Sequence, residues 1–254
     1  PKFSNSFVLG IDADDTLWEN EAWFYKIQDR FFELMSSWSD PKETNAALLE
    51  NEKASIPQYG YGVTSFVRSM ILTAIQISND EIGTKQIAQI ISWGDELINA
   101  PIDLLPDVEE TLRELSNNHH LLLITKGDVL HQRAKIENSG LTDFFWNIEV
   151  VGEKDAAIYE MLLNRYGINP EMFVMIGNSV SSDILPVLTI GAKAIHVPHH
   201  TTWELEILIQ KNWKKLIFQL LKASVKYQEF SLVGMNRTYE RRRKFSPAVW
   251  TLGV

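Results

Sequence analysis

The chain has no cysteine among its 254 residues. That absence removes disulfides, thiolate nucleophiles and zinc-thiolate centres together, so any metal chemistry must use oxygen or imidazole ligands. No apolar run approaches the roughly 18 to 20 residues that cross a bilayer. The opening Pro-Lys-Phe-Ser-Asn lacks the charged-then-apolar layout of a secretory signal. The expectation is a cytoplasmic protein with no membrane partner. Internal repeats and low-complexity tracts are also missing, and the remaining composition, 45% hydrophobic and 22% charged, is that of a globular domain or a domain with an inserted module.

Positive charge is scarce through most of the chain. Residues 211–254 hold ten Lys or Arg against two acids, a balance of +8, which leaves the preceding 210 residues at -17 within the total of -9. An acidic body excludes nucleic acid as the main partner, because duplex binding relies on Lys and Arg neutralising phosphates. The basic stretch from Arg237 to Lys244 has no clear period and reads as a solvated end, so it is given no function.

Apolar runs and helical periods alternate along the rest. Phe7-Val8-Leu9-Gly10-Ile11 predicts a buried first strand that ends at Asp12. From Glu19 to about Ala100 the apolar residues recur at three to four, as in Trp23, Ile27, Phe31 and Leu34, which predicts an all-helical insertion. Strands follow at Leu121–Ile124, Ile148–Val151, Phe173–Ile176 and Ala194–Val197, with helices between them through Arg133 and Ile136 and around Tyr159–Arg165. Thr201-Thr202-Trp203-Glu204 has capping-box spacing and predicts a further helix through Trp213 and Leu221. Strand and helix in alternation imply a Rossmann-like parallel sheet with helices on both faces, whose strands all point their C-terminal ends at one edge.

The chemistry-bearing residues fall at that edge. Asp12-Ala13-Asp14-Asp15-Thr16 directly follows the first strand, and carboxylates at i and i+2 there can project into one site as nucleophile and general acid/base. An acidic turn is the bland alternative. Thr125 closes the second strand, and Lys126-Gly127 after it offers backbone N–H groups to an anion. Lys154 comes 29 residues later and Asp183, after Gly177-Asn178-Ser179, another 29.

These four segments resemble the motifs of the haloacid dehalogenase-like (HAD) superfamily: Asp-x-Asp-x-Thr, a Ser or Thr, a Lys and a final acidic pair, each after a strand. Leu104-Leu105-Pro106, Ser139-Gly140-Leu141-Thr142-Asp143-Phe144-Phe145 and Ser182-Asp183-Ile184 are similar to members with a helical cap, and the likeness spans about Phe7 to Pro198. It implies a catalytic core over 1–17 and 101–225, a cap over 18–100 and a basic tail over 226–254. It further implies that Asp12 is the nucleophile, Asp14 the acid/base, Thr125 a ligand of the phosphoryl oxygens and Lys154 the neutralising cation. Thr16, Lys126 and Gly127 join Thr125 and Lys154 around the phosphate, and Asp12, Asp14, Asn178 and Asp183 hold Mg²⁺. The expected activity is hydrolysis of the phosphomonoester of a small metabolite by a monomer or homodimer.

Two positions depart from the pattern. Asp15 replaces a frequent Gly and is expected at the entrance, facing solvent. Asn178 replaces the usual metal-binding Asp, which removes one negative charge and should weaken Mg²⁺. A 2-haloacid dehalogenase or a phosphomutase of the same fold are the rival enzymes, and an anion-binding regulatory protein is the rival from another class. A dehalogenase has no use for the second acid, since halide leaves without a proton. His196, His199 and His200 read as loop histidines. Trp18, Trp23, Tyr59, Tyr61 and Arg68 are candidates for the cap's substrate contact, and Gly60-Tyr61-Gly62 for a flexible cap loop.

Overall fold

The computed structural model describes residues 6–203 and 250–252. Five parallel strands, β1 (Val8–Ile11), β2 (His120–Lys126), β3 (Asn147–Val151), β4 (Phe173–Gly177) and β5 (Lys193–His196), form a sheet in the order β3-β2-β1-β4-β5. A short strand β6 (Trp250–Leu252) lies antiparallel on the outer edge of β5. The chain steps from β1 to β2 on one side and places β4 on the other, so β1 is flanked on both sides by parallel strands, and a crevice opens beyond its C-terminal end.

The central strands β1, β2 and β4 carry apolar runs because both sheet faces are covered there, while β3 and β5 also hold Asn147, Glu149 and Lys193. One face packs Val8, Leu122, Ile124, Phe173 and Met175 against Tyr159 of α7 (Ala156–Tyr166) and Val187 of α8 (Leu185–Thr189). The other packs Leu9, Ile11, Leu121 and Leu123 against Leu112 of α5 (Val108–Ser116) and Ile136 of α6 (Val129–Asn138). Gly10 is required where the central strand meets β4: a Cβ there would stand 2.5 Å from the Phe173 ring.

The insertion is four helices, α1 (Glu21–Met35), α2 (Pro41–Tyr59), α3 (Val63–Ile77) and α4 (Thr84–Ile98), around their own core of Phe31, Met35, Leu48, Met70, Ile90 and Trp93. Asp40 starts α2 by accepting from the amides of Lys42 and Glu43, with Pro41 at the first helical position. Trp23 and Phe66 belong to this core, whereas Trp18, a candidate for cap contact, is fully buried in the core face below β1. The two connections to the insertion run side by side: Trp18 bridges to Leu104, Glu19 N–H donates to Asp103 O at 2.9 Å, and Leu105 N–H donates to Leu17 O at 2.9 Å. Thr201–Trp203 have no regular structure. The helix expected beyond them and the basic stretch of the tail lie outside the described residues. No helix among the described residues is long and apolar enough to cross a membrane.

Candidate active site

Asp12 leaves β1 at the sheet edge and is 6% exposed; Lys154, from the loop after β3, is 2% exposed, and Asp183, from the π-helical turn after β4, is 0% exposed. The Lys154 ammonium donates to Asp12 Oδ1 and, at 2.8 Å, to Asp183 Oδ1. The second Asp183 oxygen accepts from Ser179 N–H at 3.0 Å. Two carboxylates and one ammonium are thus closed in together. Burial raises the Asp12 carboxyl to about 6, helped by the charge of Asp183 and opposed by Lys154. For Lys154, burial favours the neutral amine, but the charges of Asp12 and Asp183 outweigh it and hold the group protonated well past its ordinary range.

Thr16 Oγ donates to Asp12 Oδ2 at 3.0 Å, stands 3.5 Å from Asn178 Oδ1 and accepts from Asn178 N–H at 3.1 Å. It therefore ties the exit of β1 to that of β4. Thr125 is buried at the end of β2 and lines the same cleft. Lys126 Nζ donates to Ser182 Oγ at 2.9 Å and lies 4.1 Å above the Tyr61 ring. Gly127 differs from expectation, because its N–H donates to Val151 O at 3.2 Å and is not held out to an anion. Its φ of 141° and the absence of a Cβ, which would sit 3.0 Å from Gln132 Nε2, are what that turn requires.

Asp14 is held by groups that the motif reading did not include. Trp18 Nε1 donates to it at 2.7 Å, Gln132 Nε2 at 2.9 Å, and the Lys135 ammonium pairs with it. Burial pushes the Asp14 carboxyl up, but Lys135 with the two hydrogen bonds wins and keeps it below the ordinary range, so it is ionised in this arrangement. Lys135 also donates to Asn20 Oδ1 at 2.8 Å, at the start of α1. Buried Gln132 and Lys135, three apart on α6, were the available signal: two polar residues on the inward face beside Ile136.

Asp15 also overturns its expectation. It is 6% exposed and turned inward, accepting from the amides of Asn20 at 2.8 Å and Glu21 at 3.1 Å, with a φ of 58°. It satisfies two of the unpaired N–H groups at the entry to α1. Burial raises its carboxyl to about 6, against those amides and nearby His199. His199 lies between Asp15 and Glu19, at 3.6 and 3.3 Å, and His196 shares a hydrogen bond with Asn178 O at 2.9 Å. His200 joins Glu19 and His199 in a group whose ligand atoms lie within 4.8 Å of one another.

A cleft of about 170 Å³ spans core and insertion above these residues. Tyr61 closes one side, its hydroxyl donating to Glu153 at 2.7 Å, and Tyr25 donates to Thr202 O at 3.0 Å. The Gly60-Tyr61-Gly62 loop is therefore an anchor onto the core. Arg68 is directed away from the cleft, to Ser55 Oγ at 2.8 Å and the Tyr59 ring at 4.3 Å.

The comparisons agree with this architecture. A family model described as haloacid dehalogenase-like hydrolase matches residues 8–187. A solved haloacid dehalogenase-like family hydrolase from Xanthomonas campestris is 36% identical, with a TM-score of 0.71 over 78% of this chain and 87% of that one. Human N-acylneuraminate-9-phosphatase is 35% identical over 36% of this chain and 39% of its own length. Glyceraldehyde 3-phosphate phosphatase of Methanothermobacter thermautotrophicus is 34% identical over 42% of this chain and 50% of its own. The match to these two curated relatives thus covers half of their length or less. With the family model spanning most of the chain and the sheet, insertion and strand-end carboxylates in place, the chain belongs to the haloacid dehalogenase-like hydrolases.

Proposed function

We propose that this chain is a Mg²⁺-dependent phosphomonoester hydrolase that works through an aspartyl-phosphate on a small phosphorylated metabolite. The observation that carries the reading is the second carboxylate: Asp14 stands beside Asp12 at the cleft floor, a proton carrier that an alkoxide leaving group needs and a halide does not. The phosphatases among the relatives point the same way.

In the proposed cycle the Asp12 carboxylate attacks phosphorus, the ester P–O bond breaks, and the leaving alkoxide takes a proton from Asp14. Water then attacks the aspartyl-phosphate, Asp14 takes the water's proton, and phosphate departs with Asp12 regenerated. Lys154 offsets the charge of nucleophile and phosphoryl group, and Thr125 and Thr16 orient oxygens at the strand ends. Asp14 must be loosened from Lys135 to donate its proton; as found, it is in the state that receives one.

The donor set suits Mg²⁺, being all oxygen: Asp12 Oδ2 and Asn178 Oδ1 both face Thr16 Oγ, at 3.0 and 3.5 Å, and the Asp14 carbonyl is the third candidate. The ion would offset phosphate charge. Asp183 is left out of this set, because both its oxygens are engaged inside the protein.

The test is phosphate release from para-nitrophenyl phosphate and a metabolite panel with Mg²⁺, wild type beside Asp12→Asn and Asp14→Asn. Turnover in wild type and its loss in both variants is expected. Halide release from 2-haloacids without any phosphatase activity would sink the proposal in favour of a dehalogenase.

A further inference from the structure

We infer that Glu19, His199 and His200 form a second metal site, apart from the candidate active site and suited to a divalent transition ion of the Zn²⁺ class. All six histidines of the chain lie within the described residues. His196 is engaged with Asn178 O at 2.9 Å, but His199 and His200, three and four residues further along the loop after β5, meet Glu19 at the entry to the insertion. None of these three residues lines the cleft.

The pair of Glu19 and His199 is poorly satisfied by protein alone. Their side chains are 27% and 5% exposed, and Glu19 Oε2 stands 3.3 Å from His199 Nε2. No hydrogen bond joins them: both atoms are buried without a hydrogen-bond partner. The other ring nitrogen explains this. His199 Nδ1 lies 3.0 Å from Thr201 O and 3.6 Å from Asp15 Oδ1, two acceptors that call for a proton on Nδ1, while the contact from Thr201 N–H is longer, at 3.3 Å. A neutral imidazole protonated at Nδ1 turns a lone pair at Nε2 toward the Glu19 carboxylate. Two facing lone pairs repel, and burial denies them water. A cation between them removes both costs.

The spacing fits such an ion. Zn²⁺ holds imidazole nitrogen and carboxylate oxygen at about 2.0–2.2 Å, which sets neighbouring ligands of a tetrahedron about 3.4 Å apart. The Glu19–His199 separation is already that edge. The His200 ring lies 4.2 Å from that of His199, its ligand atom is within 4.8 Å of the other two, and its exposure leaves it room to turn inward. Two imidazoles and one carboxylate suit Zn²⁺, with water as a fourth ligand, whereas Mg²⁺ favours oxygen. Thr201 O and Asp15 supply the outer partners that orient a ligating histidine. The ion would fasten the segment after β5 to the insertion. That segment continues to Thr202, which accepts from Tyr25, and to Trp203, whose ring lies 6.0 Å from that of Tyr61, so the site braces one wall of the cleft.

The test is calorimetric titration of the metal-stripped full chain with Zn²⁺ in excess Mg²⁺, with thermal melts alongside. The expected result is one equivalent bound and a melting temperature that rises with Zn²⁺ concentration. Affinity should fall at least about tenfold in His200→Ala and in Glu19→Gln and stay unchanged in Asp12→Asn, which alters the active site. His200 is exposed, so its variant keeps the fold. Without metal, Glu19→Gln should melt no lower than wild type, because its amide can donate to His199 Nε2. No binding by wild type, equal affinity in both ligand variants or loss of binding in Asp12→Asn overturns the inference. A lower melting temperature of metal-free Glu19→Gln also overturns it, since a proton on His199 then bridges the pair.

Discussion

Replacing Asp183 by Asn separates two roles for the last acidic residue. In the structure this side chain holds Lys154 at 2.8 Å and Ser179 N–H at 3.0 Å in full burial, which makes it a partner of the lysine. Removing one member of a buried ion pair costs about 3–5 kcal/mol. Asn keeps one acceptor oxygen, and Asp12 still faces the ammonium, so the expected loss is at the lower end, about 3 kcal/mol. For a chain of this length that lowers the melting temperature by about 6–12 °C. The charge of Asp183 also raises Asp12, which sits at about 6, so its removal lowers the Asp12 value. In the proposed cycle attack needs ionised Asp12, and the acid limb of kcat/KM accordingly moves to lower pH. Scanning calorimetry reads the first effect and the pH profile of para-nitrophenyl phosphate turnover the second, with the half-saturating Mg²⁺ concentration unchanged. An unaltered melting temperature together with an approximately tenfold higher half-saturating Mg²⁺ concentration, about 1.4 kcal/mol, would refute the reasoning and return Asp183 to the metal.

Asn178→Asp adds a charge where Asn178 Oδ1 faces Thr16, and the half-saturating Mg²⁺ concentration should fall; an unchanged value counts against Asn178 as a ligand. Lys135→Met removes the cation that holds Asp14 low, so the Asp14 value rises and the alkaline limb of kcat/KM, where the proton donor is lost, shifts to higher pH. An alkaline limb that stays put would remove Lys135 from the mechanism. Asp15→Ala forfeits two helix-entry bonds, about 0.5–2 kcal/mol, and places Ala at a φ of 58°, roughly 1–2 kcal/mol more. Denaturant unfolding should show Asp15→Asn, which keeps an acceptor and tolerates that φ, losing clearly less.

The central strand positions are readable because burial on both faces makes β1, β2 and β4 apolar runs, and their exits are readable because Asp12 and Thr125 break two of those runs abruptly. The direction of polar side chains is not. Asp15 looks like a solvent residue in a row of acids, yet the unpaired amides at the start of α1 draw it inward. The place of Asp183 in a motif points to metal, while its ion-pair partner in the structure, Lys154, arrives from another loop that the motif does not show. Gly127 was read as an anion-binding amide because turn chemistry cannot show that Val151 O is in reach. Lys135 and Gln132 look solvated in the sequence, as polar residues on a helix ordinarily are, and only tertiary packing puts these two over Asp14.

The paired connections at Trp18 and Leu104 give the helical insertion a single doorway. Its first and last helices begin and end within a few residues of backbone bonds that belong to the core, Glu19 with Asp103 and Leu17 with Leu105. A segment whose two ends are pinned side by side can be cut out and another grafted at the same points without moving the strands below. Such a chimaera would keep Asp12, Thr125 and Lys154 in register while receiving a different wall opposite them, so under the proposed function the leaving group could be exchanged independently of the chemistry.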